Sequence, residues 1–173
     1  TSLPDDIYLD GLFTKLAEQW IADQKEPYFL WLNYSVPHGP YDVKQAYHDR
    51  FADSAMPTPN APQDKGENIP KLMRPKAANM DTIAEKQRGY CASIKFMDDQ
   101  IAKVLAAVEK TGEKDNTIIV FFSDHGYLVG DHGLMAKTTL YKEVLNPTLV
   151  IYDPRQQARK ITQPVQLLDL VKT

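Results

Sequence analysis

Apolar residues recur at helical spacing early in the chain. Leu12, Leu16, Trp20 and Ile21, with Phe13 and Ala17 beside them, define one face of a helix over about residues 9–23. Glu26-Pro27 ends it, because proline restrains the residue before it and cannot continue a helix. Tyr28 to Tyr34 is then a nearly continuous apolar, aromatic-rich run, the pattern of a strand buried on both faces as in parallel sheets. Val36-Pro37-His38-Gly39-Pro40 reads as a turn at its carboxyl end.

A short amphipathic piece, Lys44 to Phe51, leads into residues 52–80. These carry Pro57, Pro59, Pro62, Pro70 and Pro75 with scattered charge, and are expected to form an irregular excursion. Loops of that length are uncommon inside a compact domain and are usually functional or disordered. Its Lys65, Lys71, Arg74 and Lys76 admit two readings: contact with an anionic substrate, or a solvated surface on which Asp64 and Glu67 offset the charge. Composition favours the second.

The longest helix is expected from about Asp81 to Lys110. Ile83, Tyr90, Ile94, Met97, Ile101, Val104, Leu105 and Val108 trace its apolar stripe, and Gly112 is placed to cap it. Thr117 to Phe122 is β-branched and apolar, a second doubly buried strand. A polar, glycine-punctuated loop runs from Ser123 to Lys137. A short helix around Leu140–Glu143, a third strand over Thr148–Tyr152 and a further element starting within Ile161–Leu170 complete the pattern. Helices alternating with buried strands predict an α/β fold with a largely parallel sheet flanked by helices. Ligands of such folds bind outside the carboxyl ends of the strands, where His38 and Asp124-His125 fall.

Composition narrows the field. At 173 residues, with 43% hydrophobic and 25% charged, the chain reads as one globular domain or a large piece of one. A net charge of −3 without a Lys/Arg block argues against capture of nucleic acid or an anionic membrane. No apolar stretch approaches the ~20 residues that span a bilayer. The single cysteine, Cys91, excludes an internal disulfide framework and a multi-cysteine zinc site. It sits on the apolar stripe of the long helix, the setting of a structural thiol rather than a nucleophile. The chain opens without an initiator Met or a targeting segment and stops after an apolar run, so it is expected to be an internal piece of a longer protein.

Candidate chemistry gathers on one loop. Asp124 and His125 are both metal-ligand types, held where a buried strand opens into a glycine turn. The alternative for Asp-His-Gly alone is a capped turn with a hydrogen-bonded histidine. Gly130-Asp131-His132-Gly133 and then Lys137 add a second histidine and a cation. An Asp, His, His, Lys set suits an oxyanion site, where a metal and lysine neutralise charge while a histidine donates or shuttles a proton. Spacing alone leaves sulfate, phosphate and carboxylate open.

Ser123-Asp124-His125-Gly126, Gly130-Asp131-His132-Gly133-Leu134 and Lys137-Thr138-Thr139-Leu140-Tyr141 together resemble the sulfatase family of the alkaline-phosphatase-like superfamily. So do Pro27-Tyr28-Phe29-Leu30 through Pro37-His38-Gly39-Pro40-Tyr41, Tyr90-Cys91-Ala92-Ser93-Ile94 with Met97-Asp98, and Asp115-Asn116-Thr117. Pro164 to Leu170 is similar to the segment where the catalytic domain continues, so the likeness covers nearly all of residues 1–173 except the excursion over 52–80.

The resemblance implies roles. Asp124 and His125 match ligands of the active-site divalent cation, usually calcium. An imidazole suits manganese or zinc better, and many members have Asn at the second position. Lys137 matches the lysine that contacts the sulfate and the leaving-group oxygen, and His38 the histidine that binds sulfate and helps protonate the leaving group. His132 lies in the family's acid-His-Gly stretch, as a supporting or substrate-side residue or as a structural turn histidine.

The family's Cys/Ser-x-Pro-x-Arg motif, oxidised to formylglycine, does not occur here, nor do its two adjacent aspartates after the first strand or the basic Lys/His pair near the nucleophile. The resemblance therefore implies a sulfuric ester hydrolase in the full-length protein, acting on a small-molecule or glycan sulfate ester, with this piece alone inactive. A periplasmic, secreted or lysosomal-type compartment follows only from the family's habits. The rival readings are a phosphonate monoester or phosphodiester hydrolase of the same superfamily, and a non-catalytic sulfatase-like module.

Overall fold

The computed structural model describes residues 4–60, 70–74 and 76–172. Pro62, Asp64, Lys65, Glu67 and Pro75 of the excursion lie outside the described residues.

Helix α1 (Leu9–Asp23) forms where the pattern places it, but it buries another face. Asp10, Gly11, Thr14, Ala17 and Ile21 turn inward, while Leu12, Phe13, Leu16 and Trp20 are exposed. The reason is close packing on the long helix α3 (Ile83–Lys110) and on the turn over Asp5–Ile7. A Cβ at Gly11 would collide with the Asp5 carbonyl, so small residues have to line this seam. The buried Asp10 carboxylate accepts hydrogen bonds from the Ser35 N–H (2.6 Å) and Ser35 Oγ (2.8 Å), pinning the start of the Pro-His turn to α1.

On α3 the predicted stripe is buried at its ends, Ile83 and Val108, but not along its middle. Gly89, Ala92, Ser93, Phe96 and Gln100 are buried, whereas Ile94 and Leu105 of the predicted stripe are exposed. Phe96 centres the core with Ala92 and Val43, flanked by the rings of Tyr8 and Tyr47 at 5.8 and 5.5 Å. Short helix α2 (Gln45–Asp49) packs on α3 from the other side.

Residues 28–34 run extended but join no ladder among the described residues, which corrects the doubly buried strand. Phe29 and Trp31 are 82% and 62% exposed, while alternate residues turn inward: Tyr28 meets Trp20 edge-on at 5.2 Å and the Tyr34 hydroxyl lies 2.9 Å from Thr14 Oγ1. One covered face and one open face give the alternation seen.

Strands β1 (Ile119–Phe122) and β4 (Leu149–Tyr152) pair antiparallel, Ile119 with Tyr152 through Phe122 with Leu149. Strands β2 (Leu128–Val129) and β3 (Met135–Ala136) form a small antiparallel hairpin. The α/β class holds, but the ladders among the described residues are antiparallel where a largely parallel sheet was expected. Parallel pairing needs a crossover that carries the chain back to the other end, typically through a full helix. The one α-helix between β1 and β4 is the four-residue α4 (Lys142–Leu145), and the chain returns to the end it left, Ser123 N–H donating to Thr148 O at 3.0 Å. Residues 123–148 are thus a closed excursion from one end of the β1–β4 pair. The final element is a 3-10 turn over Leu167–Lys172. Among the described residues no helix is long and apolar enough to cross a membrane.

Candidate active site

The site begins where β1 ends. Ser123 Oγ donates to the His125 carbonyl at 2.7 Å, and Asp124 Oδ1 accepts the His125 N–H at 2.8 Å, so the Asp-His turn is closed by its own polar groups. His125 Nδ1 lies 2.9 Å from the Gly126 carbonyl oxygen. A carbonyl can only accept, so Nδ1 carries the hydrogen and Nε2 presents its lone pair. That Nε2 stands 3.4 Å from Asp124 Oδ2. Two cis ligands of a cation bound at 2.3–2.6 Å would be about 3.3–3.7 Å apart. Asp124, 81% exposed, is accessible to solvent. The pair fits a divalent cation, and among the described residues no third His, Cys, Asp or Glu joins it.

Gly126 is pressed against α4. Its N–H donates to Val144 O at 2.8 Å, and a Cβ there would collide with the Glu143 carbonyl. The loop then folds through Leu128, Leu134 and Val144, a small core of its own flanked by Tyr141.

His38 sits at the other predicted rim. Its Nδ1 contacts the Gly39 carbonyl at 2.7 Å, which again leaves Nε2 available. The ring meets Tyr127 edge-on at 6.4 Å, and Tyr127 stacks on Tyr90 of α3 at 6.1 Å, which meets Tyr41 at 6.0 Å. Burial, then the neighbouring Tyr127 and Tyr90, push the Tyr41 hydroxyl up to about 12. This aromatic chain brings His38 to the residue two places beyond His125. Tyr127 carried no mark in the sequence, since only its tertiary contacts give it a role.

Lys137 follows β3. It is half-buried and has no ion-pair partner among the described residues, so its charge is available to an anion. His132 is placed differently. It adopts φ 57°, stacks on Tyr141 at 3.8 Å and 7°, and lies 3.2 Å through Nε2 from Glu143 Oε2. Its N–H donates to Asn60 O at 2.6 Å, and its Nδ1 is buried with no hydrogen-bond partner among the described residues. Among the described residues no hydrogen bond or ring contact joins it to Asp124, His125, His38 or Lys137; it braces the loop that carries Asp124, His125 and Lys137. Glu143, its partner, was also unmarked.

Cys91 is half-buried, and burial raises its thiol above the ordinary range, which disfavours a nucleophilic thiolate. His48 is half-buried, with its Nε2 3.1 Å from the Tyr41 carbonyl oxygen. A cleft of about 340 Å³ is lined by His38 with Asp10, Ser35 and Phe96, and a wider one of about 550 Å³ by Asp5, Lys44 and Lys103. Neither is lined by Asp124, His125 or Lys137, and the mixed charges of the wider one already neutralise each other.

Asp124 and His125 pair at the end of β1, His38 reaches Tyr127, and Lys137 follows β3; these are side-chain types that an oxyanion centre uses. The family model for Sulfatase matches residues 3–173, and the chain belongs to that family, within the alkaline-phosphatase-like superfamily. A sulfatase of Formosa agariphila is 30% identical over 91% of this chain and 34% of its own length. An arylsulfatase of Clostridium perfringens is 29% identical over 87% of this chain and 34% of its own. The chain thus spans about a third of these curated relatives. The crystal structure of a phosphonate monoester hydrolase of Agrobacterium radiobacter superposes with a TM-score of 0.74 at 21% identity, covering 88% of this chain and 34% of that one, a likeness of fold.

Proposed function

We propose that the full-length protein carrying this chain is a formylglycine-dependent sulfatase that hydrolyses small-molecule or glycan sulfate esters, and that residues 1–173 are part of its catalytic domain. The observation that carries the reading is the His125 tautomer, held by Gly126 O so that Nε2 faces the Asp124 carboxylate at 3.4 Å. Asp124 and His125 would hold a divalent cation, calcium by family habit, with manganese or zinc also suited to the imidazole. When bound, such an ion neutralises charge on the sulfuryl oxygens.

Lys137 donates hydrogen bonds to the same group and to the leaving oxygen, stabilising negative charge as it develops there. His38, protonated on Nε2, donates to a sulfuryl oxygen and then supplies the leaving oxygen with that proton. His132, stacked on Tyr141 and bonded to Glu143, holds the Lys137 loop in register and is a positioning residue. The nucleophile is assigned to a segment outside this chain, since no Cys/Ser-x-Pro-x-Arg occurs in it. The isolated chain is therefore expected to turn over no ester.

A second reading, phosphonate monoester hydrolysis, is favoured by the imidazole at position 125. Rates of the full-length protein on phenyl sulfate and on a phenyl phosphonate monoester separate the two. The proposal expects kcat/KM for the sulfate to be larger; preference for the phosphonate transfers the assignment. Robust hydrolysis of an aryl sulfate by residues 1–173 alone would contradict the placement of the nucleophile.

A further inference from the structure

Among the described residues Asp10 is the one charged side chain that is buried, 4% exposed, and it takes no part in the chemistry assigned to Asp124, His125, His38 and Lys137. A carboxylate out of water is tolerated where hydrogen bonds satisfy it. One residue supplies them to both oxygens: Oδ1 accepts the Ser35 N–H at 2.6 Å and Oδ2 accepts from Ser35 Oγ at 2.8 Å. Ser35 opens the turn that ends at His38, whose N–H donates to Ser35 O at 2.9 Å. The His38 ring is then held through Nδ1 by the Gly39 carbonyl at 2.7 Å. A series of short hydrogen bonds thus runs from the α1 carboxylate to the imidazole that presents Nε2.

The same face of α1 grips the preceding residue as well. Thr14 Oγ1 donates to Asp10 O at 2.9 Å and lies 2.9 Å from the Tyr34 hydroxyl. Val36 packs on the Phe96 core, but His38 is exposed and borders, with Asp10 and Ser35, the cleft of about 340 Å³. Beyond its edge contact with Tyr127, hydrogen bonds rather than packing hold the ring.

We infer that Asp10 is a positioning residue for His38: through Ser35 it sets where Nε2 stands, and so governs proton delivery to the leaving oxygen. This rests on the role proposed for His38, but not on which ester is cleaved or which cation is bound. A proton donor has to stand within hydrogen-bond reach of its acceptor, and a misplacement of about 1 Å can cost roughly 10²-fold. Asp10 itself touches no substrate.

The test is a double-mutant cycle in the full-length protein. Asp10→Ala and Ser35→Ala are each measured on phenyl sulfate with and without His38→Ala. Ser35→Ala, at an exposed position, keeps the cycle available should Asp10→Ala fail to fold. Where His38 is present, we expect each to lower kcat/KM by about 10–100-fold, as a misplaced proton donor would. Where His38 is absent, each should cost less than about twofold, because residues acting as one unit are not additive. Asp10→Asn still accepts the Ser35 N–H and offers its amide to Oγ, so it should recover most of the loss. Equal losses in both backgrounds make Asp10 merely structural and overturn the inference, as does no loss in either. On 4-nitrophenyl sulfate, whose leaving group departs without a proton, the losses should be smaller. If His38→Ala is no more harmful on phenyl sulfate than on that ester, the proton-donor role of His38 falls, and the cycle still decides whether Asp10 acts through it. If turnover is too slow to complete the cycle, calorimetric titration with inorganic sulfate closes it instead. Weakening confined to proteins that keep His38 supports the inference, and any other result overturns it.

Discussion

Gly126 joins two elements that the sequence keeps apart, because its missing Cβ lets the Asp124-His125 turn close onto the Glu143 carbonyl. Glu143 in turn holds His132, and its carboxyl lies below the ordinary range through its own backbone N–H first and then the imidazole. Gly126→Ala should therefore disturb both ends of the loop, costing roughly 1–3 kcal/mol as overpacking does. Urea unfolding of the full-length protein would measure it; an unchanged midpoint would mean that the two segments do not meet. Lys137→Ala should lower kcat on phenyl sulfate by about 10²–10³ with little change in KM, the signature of charge stabilised in the transition state. The contact between Asp124 and His125 was legible because the two residues are neighbours in the chain. Tyr127 and Glu143 were not, since a tyrosine after a glycine and a glutamate in a short helix acquire their roles only from partners in other elements.

Both long helices were legible in extent and only partly in rotation: Ala17, Ile21, Ile83 and Val108 are buried as the stripes predict, while Leu16, Trp20, Ile94 and Leu105 are exposed. Counting apolar residues selects the greasiest stripe, whereas the faces buried here carry many small residues, Gly11, Thr14 and Ala17 on α1 and Gly89, Ala92 and Ser93 on α3, with Gly89 packed against Tyr41. Phe96, outside the predicted stripe, is the filled centre, so Phe96→Ala should cost about 3–5 kcal/mol and Leu105→Ala far less. Comparing their thermal midpoints checks the rotation, and equal losses would restore the predicted stripe.

The same elements are tied at one corner by Asp5, which pairs with Lys44 and Lys103. Burial alone would raise its carboxyl, but hydrogen bonds from Lys103, Lys44 and Gln100 outweigh it and hold it down to about 2. A carboxyl lowered on folding adds stability that is present above its ordinary value near 3.8 and is lost as pH falls toward 2. The midpoint difference between wild type and Asp5→Asn should therefore narrow between pH 5 and pH 2, whereas a constant difference would deny the network.

At the scale of the whole molecule, the α/β class was legible from alternating helical and extended patterns, but the sheet's pairing was not. Patterning reports which faces are apolar and says nothing of which strand lies beside which. Phe29, Trp31, Val150 and Ile151 present apolar surface along the extended run and β4. Contiguous apolar surface of this kind binds hydrophobic dyes. Residues 1–173 produced alone should accordingly bind 1-anilinonaphthalene-8-sulfonate more strongly per mole than the full-length protein; equal binding would show that the rest of the protein leaves these rings exposed.

The central claim is that His38, Asp124, His125 and Lys137 serve one sulfate ester. A crystal structure of the full-length protein soaked with inorganic sulfate and calcium tests it most directly. The account predicts one cation touching the Asp124 carboxylate and His125 Nε2, with a sulfate oxygen in hydrogen-bond reach of Lys137 Nζ and His38 Nε2. A cation bound elsewhere, or a sulfate that leaves Lys137 and His38 untouched, would contradict it.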